Sequence, residues 1–131
     1  MNKRFKQRFE FFQRTFLNLN EVKEQENRAF SNLEKEGIIQ RFEVLIELSW
    51  KVLKGFLENE GFEVKSPKES IRRAFEYELL QDCEKWLEAL EMRNITSHTY
   101  TQSALDENVR YILDEFYPLV RDLYHTLKAY L

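Results

Sequence analysis

The sequence predicts an all-α protein, an up-and-down bundle of about five helices around a four-helix core. Two observations carry that prediction. The 131 residues include only 3 Gly and 2 Pro against 11 Phe, 6 Tyr and 2 Trp, whereas average usage of roughly 7% Gly and 5% Pro would supply several of each. A sheet protein of this length needs many tight turns, and this chain has few residues able to make them. Apolar residues also recur every three or four positions along most of the chain, which is the helical period. The length fits one domain over residues 1–131, and 43% hydrophobic residues can fill its core.

The first helix is read from Phe5, Phe9, Phe12, Phe16, Leu19 and Val22, which fall on one helical face. Its other faces carry Lys3, Arg4, Lys6, Arg8 and Arg14 against Glu10 alone. A charge run of this kind is most often a solvated face; the alternative is an edge turned toward RNA or a partner. Lys23 to Arg28 reads as a loop or frayed end. Ser31-Asn-Leu-Glu34 is a capping box, although Gly37 leaves the start of the second helix between these positions. Ile38, Phe42, Leu45, Ser49, Val52 and Phe56 then form an inward stripe, widened by Ile46, Trp50, Leu53 and Leu57. The opposite stripe is polar: Gln40, Glu43, Glu47, Lys51, Lys54 and Glu58, with Glu47 four residues ahead of Lys51 in the favourable orientation. Gly61 ends the helix.

Ser66-Pro67-Lys68-Glu69 is a second capping box with proline at the first helical position. A third helix follows, with Ile71, Ala74, Phe75 and Leu79 inward. Asp82 can cap a fourth, in which Trp86, Ala89, Leu90 and Arg93 share a face. Ser103 to Asp106 opens the fifth, with Leu105, Val109, Ile112, Phe116, Leu119, Leu123, Leu127 and Tyr130 inward. Pro118 lies well inside it and predicts a kink. Both tryptophans continue apolar stripes and read as core. His125 reads as packing or a surface contact.

Composition also excludes function classes. No apolar stretch approaches the ~20 residues that span a bilayer, and Met1 to Arg14 alternates charge with Phe instead of forming a signal-peptide core. A cytoplasmic protein is expected. The single cysteine, Cys83, cannot form an internal disulfide; its place at a helix start could lower its pKa, but no resolving Cys or nearby His supports a redox role. No Cys/His pair has structural-zinc spacing, and no glycine-rich phosphate loop exists, so neither a metal nor a cofactor is expected. The net charge of −3 argues against binding nucleic acid through bulk charge, though not against a local basic patch.

The chemistry concentrates in Arg93-Asn94-Ile95-Thr96-Ser97-His98-Thr99-Tyr100. Arginine offers a planar fork of donors suited to phosphate, and histidine exchanges a proton near neutrality. Together they can cleave an RNA phosphodiester without metal: His98 takes the ribose 2′-OH proton while Arg93 stabilises charge on the phosphoryl oxygens. On a regular helix Arg93 and His98 stand about 140° apart, so a shared site is easier if the helix ends near Ser97 or a second subunit completes it. Asn94 is four residues before His98 and can hydrogen-bond it. Read alone, the short motif is also consistent with a helix-end His satisfied locally and Arg93 paired to a carboxylate. Glu47 and Lys51 are either an exposed ion pair of little energetic weight or supports, with Lys51 on phosphate and Glu47 holding Arg93 or His98.

The segment R-N-x-x-x-H-x-Y, Arg93 to Tyr100, resembles the signature of the HEPN superfamily of small helical nucleotide-binding proteins. Ile39-Gln-Arg-Phe-Glu43, Glu47-Leu-Ser-Trp-Lys51, Ser66-Pro-Lys-Glu69 and Ser97-His-Thr-Tyr100 together resemble the nucleotidyltransferase substrate-binding family, from about Gly37 to the C-terminus. The resemblance implies a helical bundle that forms a homodimer and partners a minimal nucleotidyltransferase. In related toxin-antitoxin pairs the HEPN member is an RNase whose Arg and His meet across the dimer, neutralised when the nucleotidyltransferase adds AMP to the motif tyrosine. Carried onto this chain, Arg93 is the phosphate stabiliser, His98 the acid/base group, Asn94 its orienting partner and Tyr100 the AMP acceptor. A noncatalytic subunit that binds substrate or nucleotide for a separate nucleotidyltransferase is the alternative, and a bundle that only dimerises is the third.

Overall fold

The computed structural model describes residues 1–97 and 101–131. Helix α1 (Lys3–Glu24) is capped by Asn2, whose side chain accepts from the Phe5 N–H, and it buries the predicted row from Phe5 to Leu19. Helix α2 (Asn32–Asn59) starts at the first capping box: the Ser31 hydroxyl accepts from the Glu34 N–H at 3.1 Å, and the Glu34 carboxylate accepts from the Ser31 N–H at 2.9 Å. Gly37 is therefore inside the helix. Gly61, at φ +93°, takes the left-handed position just past the end of α2 that costs glycine little.

Helix α3 (Pro67–Glu76) is capped by Ser66 and helix α4 (Cys83–Thr96) by Asp82, but the expected box at α3 is only half formed, since the Glu69 carboxylate accepts from the Lys65 N–H at 3.0 Å. The last run comprises α5 (Gln102–Tyr111), a π-helical turn (Ile112–Phe116) and α6 (Tyr117–Lys128), with helical backbone at both junctions. The described residues contain no strand.

Side-chain pairings give the directions. Arg8 reaches Lys51 and Glu58 while Arg41 donates to the Asn18 carbonyl, so α1 and α2 are antiparallel. Glu43 meets Thr96 and Glu47 meets Arg93, so α2 and α4 are antiparallel. Asn32 pairs with Gln102 and Lys35 with Asp106, so α5 runs parallel to α2. The result is an up-down-up-down core of α1, α2, α4 and the α5–α6 run. The short α3 packs against α2 and α4. Gly55 permits close approach of α1: a Cβ there would stand 3.0 Å from Arg8 Nη1.

Aromatic rings knit these helices together. Tyr124 stacks on Phe16 at 4.6 Å and on Phe9 at 6.0 Å, and Phe116 meets Phe42 edge-on at 4.8 Å. Two of the buried tyrosines keep polar partners: Gln13 donates to the Tyr124 hydroxyl at 2.9 Å, and the Tyr117 hydroxyl donates to Asn20.

Several expectations are corrected. Phe75 is 44% exposed, because the short α3 turns only the stripe of Ser70, Ile71 and Ala74 inward and Phe75 sits about 100° further round. The helix then stops, and Glu78 at φ +65° turns the chain so that Leu79 packs in the core from outside any helix. Thr101, not Ser103, caps α5, its hydroxyl accepting from the Ala104 N–H at 3.1 Å. Leu119, inside α6, is only half-buried, and Tyr130 is exposed, since α6 ends at Lys128. Trp86 is core as predicted, but Trp50 is only half-buried and carries Lys51 Nζ 5.8 Å from its ring. Burial raises the Cys83 thiol pKa and outweighs the opposing pull of Arg72, so the thiolate is disfavoured rather than activated.

Pro118 is accommodated by the π turn. Tyr117 N–H reaches back five residues to the Ile112 carbonyl. The widened turn lies where Pro118 offers no N–H and its ring would press on the carbonyl four residues earlier.

Candidate functional site

The inward row of α4 is Trp86, Ala89, Arg93 and Thr96, at spacings of three, four and three. Trp86 and Ala89 enter the core, Thr96 is 3% exposed, and Arg93 emerges at the rim with 41% of its side chain accessible. Opposite lies the polar stripe of α2. Because the helices are antiparallel, Glu47 meets Arg93 and, one turn earlier, Glu43 meets Thr96.

Glu47 Oε2 lies 3.7 Å from Arg93 Nε, and Glu47 Oε1 lies 3.8 Å from Lys51 Nζ. One carboxylate thus stands between two cations. Both contacts exceed hydrogen-bond length, and each exposed pair contributes about 0–1 kcal/mol. Arg93 Nε is enclosed yet has no hydrogen-bond acceptor among the described residues. An open cleft of about 280 Å³ runs past Glu47 and Arg93, lined also by Gln40, Glu43, Val44 and Leu48. The accessible part of the guanidinium, at the mouth of such a cleft, is suited to a phosphate.

The chain leaves α4 immediately beyond. Ser97 is the C-cap, and its hydroxyl donates to the Asn94 carbonyl at 2.8 Å. Asn94 itself is exposed. His98 and Tyr100, the expected acid/base group and AMP acceptor, lie outside the described residues. On the other side of Thr96 a second cleft, of about 340 Å³, includes Glu36, Ser97, Thr101 and Gln102 in its lining. A larger cleft, about 410 Å³, is elsewhere, between the α3–α4 connection and the π turn. The structure therefore brings Arg93, Glu47 and Lys51 together. It adds Glu43, which sequence reasoning placed only in a polar stripe. The signal that could have found it is the four-residue row ending at Thr96, which points a hydroxyl at α2.

Comparison with known proteins decides the family. The sequence model of the family described as nucleotidyltransferase substrate binding protein like matches residues 7–129. The chain belongs to that family. Among solved structures, a crystal structure from Thermus thermophilus is 32% identical and superposes with a TM-score of 0.79, covering 89% of this chain and 98% of that one. A Haemophilus influenzae structure, described as revealing the fold of a substrate binding domain of a nucleotidyltransferase, is 27% identical with a TM-score of 0.67, covering 95% and 96%. A curated Haemophilus influenzae protein described as a probable ribonuclease HepT is 39% identical over 71 residues. That match spans 50% of this chain and about half, 49%, of the relative. The fold of the described residues is all-α. No described helix is long and apolar enough to cross a membrane.

Proposed function

We propose that this chain is the HEPN-type partner of a minimal nucleotidyltransferase and a metal-independent endoribonuclease, the toxin of a toxin-antitoxin pair. The observation that carries the reading is the placement of Arg93: a permanent cation, 41% of its side chain accessible, at a cleft mouth and at the helix end that leads into His98 and Tyr100. In this mechanism His98 accepts the proton of a ribose 2′-OH, the 2′-oxygen bonds to phosphorus, and the bond to the 5′-oxygen breaks as that oxygen regains a proton. Arg93 stabilises the charge gathered on the phosphoryl oxygens, Asn94 orients His98, Glu47 holds Arg93 and Lys51 adds a phosphate contact. Two subunits of a homodimer complete the site. The nucleotidyltransferase silences it by joining the α-phosphorus of ATP to the Tyr100 oxygen with release of pyrophosphate; the bulky anion then blocks the cleft and competes for Arg93.

The test is cleavage of RNA by the purified, unmodified protein, with loss of cleavage and of growth arrest in His98→Ala and Arg93→Ala. Intact mass after co-expression with the neighbouring nucleotidyltransferase should rise by one AMP (~329 Da) or a multiple, mapped to Tyr100. The substrate-binding description of the family favours a second reading, a noncatalytic subunit. Under it His98→Ala leaves growth unchanged, no mass is added, and the two chains together show a transfer activity that neither shows alone.

A further inference from the structure

Thr96 is the last residue of α4 and stands two residues before His98 in the chain. Its Oγ1 lies 3.0 Å from Glu43 Oε2 and 3.1 Å from the Arg93 carbonyl oxygen. A hydroxyl has one proton to give, and the charged carboxylate is the stronger acceptor. A threonine at a helix end ordinarily settles for a local backbone partner. Here the bond crosses to another helix, 53 residues away in sequence.

The acceptor is well placed for more than packing. Glu43 is half-buried, sits one helical turn before Glu47 on α2, and lines the same cleft as Arg93. Consecutive turns of α2 therefore hold Arg93 and the end of α4. That end is stiffened further by Ser97 bonding back to Asn94. We infer that Glu43 is a positioning residue: by accepting from Thr96 it fixes the end of α4, and so sets where the segment bearing His98 departs relative to Arg93. The inference rests on the RNase reading for its catalytic consequence, and on the Glu43–Thr96 bond for its structural one.

The test compares Glu43→Ala, Glu43→Gln and Thr96→Val in the full chain, with Arg93→Ala as control. A glutamine keeps an acceptor oxygen. Positioning predicts that Glu43→Ala and Thr96→Val lower kcat for RNA cleavage by between about ten- and a hundredfold, with KM within about twofold. Glu43→Gln should stay within about threefold of wild type, and the Glu43→Ala/Thr96→Val double variant should be no worse than the poorer single one. Losses that multiply, a Gln variant as poor as Ala, or an unchanged kcat in Glu43→Ala would overturn it. Hydrogen exchange of the peptide spanning residues 94–103 separates the inference from the reading beneath it. Exchange that quickens in Glu43→Ala and Thr96→Val, and recovers in Glu43→Gln, supports the latch even if no RNA is cut; unchanged exchange overturns it. A wild-type protein without cleavage retires the RNase reading instead.

Discussion

Glu47 Oε2 lies 3.7 Å from Arg93 Nε while its other oxygen lies 3.8 Å from Lys51 Nζ, so a single carboxylate on α2 stands between the cleft's Arg93 and Lys51 beside it. Removing it should matter more to chemistry than to folding. Glu47→Ala is expected to lower RNA cleavage several-fold while shifting stability by no more than about 1 kcal/mol, because the pairs are exposed. Cleavage kinetics read beside urea melts check this, and a stability loss larger than the cleavage loss would contradict it.

Lys51 is the sequence-independent contact in this scheme. Lys51→Ala should weaken binding about equally across RNA sequences and reduce the slope of log affinity against log salt by about one. Filter binding over a salt series gives the slope; an unchanged slope removes Lys51 from the phosphate path.

The caps predict stability effects independent of function. Ser31→Ala removes one half of the reciprocal pair with Glu34 and should cost about 1 kcal/mol. It should appear in urea melts as a lower midpoint with an unchanged slope.

Glu34 also has a pH signature. Hydrogen bonds from Arg28, then from the Ser31 N–H, hold its carboxyl at about 2 against an ordinary 4.5. A depressed carboxylate stabilises the folded state above its unfolded pKa and stops doing so as pH falls through its folded one. The advantage of wild type over Glu34→Gln should therefore be full near neutrality and disappear between pH 4.5 and about 2. Melting temperatures of the two proteins across that range check it; a gap that widens toward low pH would contradict the sign.

Phe42 and Phe75 look alike in sequence and not in the fold. Phe42 is fully buried, with the Phe116 ring centroid at 4.8 Å, whereas Phe75 is 44% exposed. Phe42→Ala should cost about 3–5 kcal/mol and Phe75→Ala no more than about 0.5 kcal/mol. Chemical denaturation of both variants settles the contrast.

The same pair shows which parts of the architecture were legible. The long elements could be read because burial there follows a single sustained stripe, as from Phe5 to Leu19 in α1, and because Ser31, Gly61, Pro67 and Asp82 each carry a terminus signal with its own mechanism. Short or interrupted elements could not. With only ten residues in α3, one face suffices for the core, and nothing local says that Phe75 falls outside it. Helical spacing puts Leu79 in the right environment but on the wrong element, since the reversal at Glu78 uses a non-glycine residue at positive φ that no sequence rule favours. For the site, helical spacing put Glu47 and Arg93 on faces able to meet, but their meeting depends on the antiparallel register of α2 and α4. That register is a tertiary fact, and Glu43 with Thr96 follows from it.

The π turn ahead of Pro118 also bears on how this family can vary. Such a turn accommodates one residue more than an α-helix needs for the same advance, and buried residues flank it on both sides, Val109 and Tyr111 before it and Tyr117 and Val120 after it. A related chain that lost one residue between Tyr111 and Pro118, and with it the proline, could close the same stretch as ordinary α-helix and leave both faces undisturbed. Single-residue length differences among relatives should therefore collect at this point and travel together with the identity of residue 118.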